Sequence, residues 1–138
     1  MRDAADKLAA AAADQEYADA GLPARQLTKG LRDYRCDRFA EAIAACEKAK
    51  ANAALKTLPG WTHERERNLS VAADAIKAMA YQAVGQKAQA GETIRAAVAF
   101  ADAEFPAVEI GDIGGDWKDV LAARTFLEEA HGVDARPR

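Results

Sequence analysis

The sequence predicts an all-α protein, a single domain over residues 1–138 built from antiparallel helical hairpins, with an N-terminal helix before them and a capping helix after them. Three observations carry that prediction. Half of the residues are apolar but only 7% are aromatic, with alanine prominent among the apolar ones, and such a composition suits closely packed helices better than a thick aromatic core. Apolar residues recur at helical spacing, and no segment sustains the period-two alternation of a strand. Twice the helical pattern stops and restarts within a few residues, which forces neighbouring helices to lie antiparallel.

Taken in chain order, residues 3–18 form an alanine-rich helix with Leu8 and Tyr17 as its only large apolar residues. Gly21-Leu22-Pro23 breaks the pattern, and proline suits the first turn of a new helix because its missing N–H would have no partner there. The first hairpin spans 23–53. Its first helix sets Leu27, Leu31 and Tyr34 at helical spacing; the chain turns at Asp37, and its second helix places Ala42, Cys46, Ala49 and Ala53 on one narrow, small-residue face. Such a face lets a neighbouring helix approach closely.

Pro59-Gly60 marks a turn. The second hairpin spans 62–104: Thr62 caps a long helix reaching about Val84, with Leu69, Ala73, Ile76 and Ala80 as its buried stripe, and Gly85 ends it in a left-handed conformation. A further helix follows from about Ala88 to Glu104, stopped by Phe105-Pro106. Ala107 to Gly115 reads as an ordered loop. Asp116 then caps a last helix over 116–131, with Gly132 just past its end, and its face of Val120, Ala123, Leu127 and Ala130 is expected to bury against the preceding helix.

The two hairpins match at a constant offset of 48 residues: Gly30 answers to Ala78, Ala40 to Ala88, Ala42 to Ala90, Cys46 to Ile94 and Ala49 to Ala97. Small residues at matched positions are what close helix approach in a stacked repeat requires.

The segment Gly30-Leu31-Arg32-Asp33-Tyr34-Arg35-Cys36-Asp37-Arg38-Phe39-Ala40-Glu41-Ala42-Ile43 resembles the tetratricopeptide repeat, with its small residue in the first helix, its aromatic after the turn and its Glu-Ala pair. The second copy, from Ala78 to Ala90, keeps the small residues and the turn glycine Gly85. It departs at Lys87, where the family prefers an aromatic, and at Gly91, a poor residue inside a helix. The period also exceeds the family's roughly 34 residues, which implies an insertion around Leu55 to Arg65. A closer likeness is to the repeat tails of bacterial serine/threonine kinases and related signalling proteins, extending from about Gln26 to Ala130 and including a terminal helix that opens near Gly115-Asp116-Trp117-Lys118-Asp119. The chain itself carries no kinase phosphate loop, catalytic loop or metal motif.

In tetratricopeptide arrays the first helix of each hairpin lines a concave groove. By register the resemblance places Leu27, Thr28, Leu31 and Arg35, then Ala75, Ile76, Met79 and Gln82, on that groove. These are mostly apolar and do not match the family's carboxylate clamp, so the implied ligand is an apolar peptide or helix. A competing expectation is that the N-terminal helix or a neighbouring helix covers the same surface.

Other constellations have blander readings. His63-Glu64 opens like a zinc-protease motif, but position 67 is arginine, so the second ligand is missing. Gly111-Asp112-Ile113-Gly114-Gly115-Asp116 lacks the lysine and hydroxyl of a phosphate loop and the alternating acids of a calcium loop. Trp117 reads as a wedge seating the last helix, Trp61 as a partly exposed turn residue, and His131 as a helix C-terminal cation. Cys36 and Cys46 read as reduced, small hydrophobes, with a disulfide between them left open.

Nineteen basic and 22 acidic residues are interspersed for a net charge of −3, a distribution that argues against a nucleic-acid partner. The N-terminus lacks the basic stub and leucine-rich stretch of a secretion signal, and no run is long enough to span a bilayer. The expectation is therefore a cytoplasmic, non-catalytic scaffold or adaptor without cofactor or metal, which engages a protein or peptide and neither nucleic acid nor membrane. The alternative is a self-association module, or the regulatory tail of a larger signalling protein.

Overall fold

A computed structural model of the chain describes residues 21–55, 62–104 and 117–135. Among these residues there are five helices and no strand: α1 (Leu22–Arg35), α2 (Phe39–Ala53), α3 (His63–Ala83), α4 (Lys87–Glu104) and α5 (Trp117–Ala135). The expected helix at 3–18, the Pro59-Gly60 turn with Trp61, the loop at 107–115 and the cap at Asp116 lie outside the described residues. None of the helices is long and apolar enough to cross a membrane.

Helices α1 and α2 pack along one another and are joined by a three-residue turn at Cys36–Arg38. Asp37 adopts a positive φ of 60° there, a left-handed conformation that aspartate tolerates better than most side chains. Asp33 holds the turn together. Its backbone oxygen accepts from the Arg38 N–H at 2.8 Å, while its carboxylate, only 2% exposed, accepts from Lys29 Nζ at 2.6 Å and Arg38 Nη2 at 2.7 Å. A buried carboxylate is tolerable only when cations and donors surround it in this way.

Close approach of the two helices rests on glycine. A Cβ placed on Gly30 would come within 2.7 Å of Cys46 Sγ and 3.3 Å of the Ala42 carbonyl oxygen. The expected α2 face is fully inside, with Ala42, Cys46 and Ala49 at 0% exposure and Ala53 at 1%. Burial also pushes the Cys46 thiol up to about 12 from an ordinary 9.0, Asp74, Asp33 and Glu47 adding to the rise and Lys77 partly opposing it. A thiol that stays protonated is a poor nucleophile, so alkylation at pH 8 should modify Cys36 in the folded protein and reach Cys46 only after denaturation; both cysteines are free. The same shift has a stability consequence. In the unfolded chain the thiol ionises above about 9, whereas the folded state keeps its proton until about 12. The contribution is therefore complete below pH 9 and is lost as pH rises toward 12. Cys46→Ala should flatten the alkaline fall of the denaturation midpoint relative to wild type.

Helix α3 is the centre of the molecule and packs against all four other helices. Thr62 begins it, its Oγ1 accepting from the Arg65 N–H at 3.2 Å, and Gly85 follows its end with φ of 86°. Beyond the expected stripe of Leu69, Ala73, Ile76 and Ala80, it buries Val71, Ala72, Ala75, Ala78 and Met79. Apolar residues over most of a helix's circumference mean neighbours over most of it, and Asp74 and Lys77 occupy the remaining polar face. Lys50 on α2 reaches Asp74 on α3 at 2.8 Å, and Arg67 Nη1 on α3 donates to the Glu104 carbonyl on α4 at 3.2 Å.

Two expectations about the last helix are corrected. Val120, Ala123, Leu127 and Ala130 are buried, but chiefly against α3 and only slightly against α4. Nor does the helix stop before Gly132; it continues to Ala135. The offset pairs fall into matching environments: Gly30 with Ala78, Ala42 with Ala90, Cys46 with Ile94 and Ala49 with Ala97 are buried in both copies. Ala40 and Ala88 are exposed in both, so that pair does not mark a helix contact.

Candidate functional site: a cleft between α1, α3 and α5

Of the eight residues the sequence places on a groove, the structure separates two sets. Thr28 and Arg35 are exposed, and Leu27 and Leu31 are half-buried on α1. Ala75, Ile76, Met79 and Gln82 are not on an open surface: they are 0%, 0%, 1% and 5% exposed. The α3 half of the expected groove is corrected to core, because at these positions α3 is covered by the helices packed around it.

An open cleft does exist, displaced toward the N-terminal half of α3. Helices α1 and α5 both lean on α3, yet their backbones do not approach each other. At one end they are tied by Arg35 and Glu129 at 2.8 Å. At the other they leave a cavity of about 360 Å³. Gly21, Ala24 and Leu27 form one wall and Ala122, Ala123 and Phe126 the other, while Arg65, Asn68, Leu69 and Ala72 of α3 form the floor. Leu27 is the one residue shared with the expected groove. The small side chains have a clear consequence: alanine on both walls and glycine on one leave room between helices that larger residues would fill.

The floor carries one polar feature that matters. Asn68 is 2% exposed, and its Oδ1 accepts from Arg67 Nε at 3.1 Å. Its Nδ2 is buried without a hydrogen-bond partner. An orphaned buried amide costs on the order of 1–3 kcal/mol, so an acceptor arriving in the cleft would recover much of that.

Sequence reasoning missed Asn68, Ala72, Ala122 and Phe126. The signal for Asn68 was weak, an asparagine in the first turns of a helix between charged neighbours. Phe126 was more legible, a large aromatic one position off the buried stripe of α5. The other residues singled out from sequence sit apart from the cleft. His63 is exposed on the first turn of α3, and His131 is exposed on α5. No cluster of His, Cys, Asp or Glu able to hold a metal occurs among the described residues. The motif at 111–116 lies outside them.

In comparison with known proteins, no family model, curated protein or solved structure matches the chain.

Proposed function

We propose that the protein is a non-catalytic interaction module, a tetratricopeptide-like stack of hairpins that holds an apolar peptide or helix of a partner protein in the α1–α3–α5 cleft. The observation that carries the reading is the cleft itself, a cavity of about 360 Å³ with a mainly apolar lining and a buried, unsatisfied amide on its floor. Apolar sites with a few placed polar groups are what helix and peptide recognition uses. The repeat resemblance and the matched environments of the two hairpins support the same reading.

Ala24 and Ala122 lie on opposite walls and are exposed, so changing them should spare the fold. Helical peptides selected for binding from a random library should bind Ala24→Glu and Ala122→Glu at least about tenfold more weakly, ~1.4 kcal/mol, at unchanged thermal stability. Equal affinity for both variants would move binding away from the cleft.

One observation favours self-association as a second reading. On the far side of α5, Val98, Arg124, Leu127, Glu128 and His131 line a shallower cavity of about 220 Å³, and on another face of α4 Phe100 is 40% exposed. Exposed apolar surface of this kind is what a second copy could cover. Sedimentation over a concentration series separates the readings, because only self-association predicts a mass that rises with concentration and falls back in Phe100→Asp. The likeness to kinase tails makes either activity that of a regulatory part of a larger signalling protein.

A further inference from the structure

We infer that the resident occupant of the α1–α3–α5 cleft is the chain's own N-terminal segment, residues 1–20, which competes there with the partner; this rests on the cleft being the binding site. Four observations converge on it. Gly21, where the segment joins α1, is itself part of the cleft lining, so the segment starts at the mouth and needs no linker to reach it. The cleft is lined by Ala24, Ala72, Ala122 and Ala123, and nine of the 20 preceding residues are alanine. Small side chains on both partners permit the close helix approach that a narrow cleft demands.

Charge and polarity agree. The segment carries five carboxylates, on Asp3, Asp6, Asp14, Glu16 and Asp19, against two cations, Arg2 and Lys7, and among the described residues of the cleft lining the charged one is Arg65. The unpartnered Asn68 amide on the floor needs a carbonyl oxygen, which a polar side chain such as Gln15 or an end-of-helix carbonyl supplies. Length is sufficient: a helix over 3–18 would be about 24 Å long, against roughly 10 Å of α3 between Arg65 and Ala72. Leu8 and Tyr17 are its only large apolar anchors. The grip is accordingly weak per contact, but a tethered segment acts at an effective concentration of the order of millimolar. That suffices to hold the cleft until a tighter ligand displaces it.

The test uses the full chain carrying a photo-crosslinking benzoylphenylalanine in place of Leu8, with crosslinks mapped by mass spectrometry. The expected result is an intramolecular crosslink to peptides containing Leu27, Ala72 or Phe126, suppressed in the Ala122→Glu background. Crosslinks confined to other surfaces, or none, would overturn the proposal, as would covalent dimers, which would assign the cleft to a second copy. A second arm measures the library-selected peptide against wild type and the Leu8→Asp/Tyr17→Asp variant. Release of the segment should tighten peptide binding about tenfold; unchanged affinity overturns the occupant while leaving the cleft as a binding site. A peptide whose binding ignores Ala122→Glu even in the released variant removes the site itself.

Discussion

Met79→Asp is expected to abolish the native fold rather than to test binding. The side chain is 1% exposed, among the largest fully buried ones, and packs in the cluster that joins α2, α3, α4 and α5. Removing a methionine from such a site costs about 2–5 kcal/mol, and the carboxylate adds a desolvation penalty of several kcal/mol with no cation in the cluster to offset it. The total, at least about 5 kcal/mol, rivals the whole stability of a domain this size, roughly 5–15 kcal/mol. Circular dichroism at 222 nm should show lost helicity and no cooperative thermal transition. A helical variant melting within a few degrees of wild type would put Met79 back on the surface, where the tetratricopeptide register placed it.

Gly30→Val should be the second most damaging change, for the opposite reason. Instead of leaving space, it demands space that does not exist. The new Cβ would sit 2.7 Å from Cys46 Sγ and 3.3 Å from a backbone oxygen, distances that force α1 and α2 apart. Overpacking of this kind costs about 1–3 kcal/mol, and relief of glycine's backbone entropy returns well under 1 kcal/mol. Cys46→Ala removes the nearer obstacle, so the double variant should recover roughly 1 kcal/mol relative to the sum of the single changes. Denaturant titration of the four proteins measures that coupling. Strict additivity would mean that Gly30 does not face Cys46.

The contrast between these two positions shows what was legible. Gly30 was read as a contact point because its small size matched Ala78 one period on, and steric exclusion leaves a local mark on sequence. For Met79, the resemblance to the repeat family implies a place on a groove. Its burial depends on how many helices surround α3, which no local pattern states, although the run from Val71 to Ala80, apolar except for Asp74 and Lys77 on one face, carried the hint. Asp33 shows a further limit: an acid in a helix flanked by Lys29, Arg32 and Arg38 looks like a solvated face, yet the turn that brings Arg38 back makes it a buried hub. The cleft was legible only through Leu27. Its remaining walls come from α5, and the expected docking of that helix was onto α4.

By itself the sequence determined the class of secondary structure, most helix boundaries, the tight turns at Asp37 and Gly85, and the small-residue face of α2. All of these follow from interactions within a few residues along the chain or from a simple limit on size. Tertiary structure alone decided which helix became the centre, and therefore which expected groove residues were core and where an open cleft remained. The physical reason is that α5 could satisfy its apolar stripe against either α3 or α4. Burying that stripe is favourable on either neighbour, and only the shapes of the assembled surfaces distinguish them.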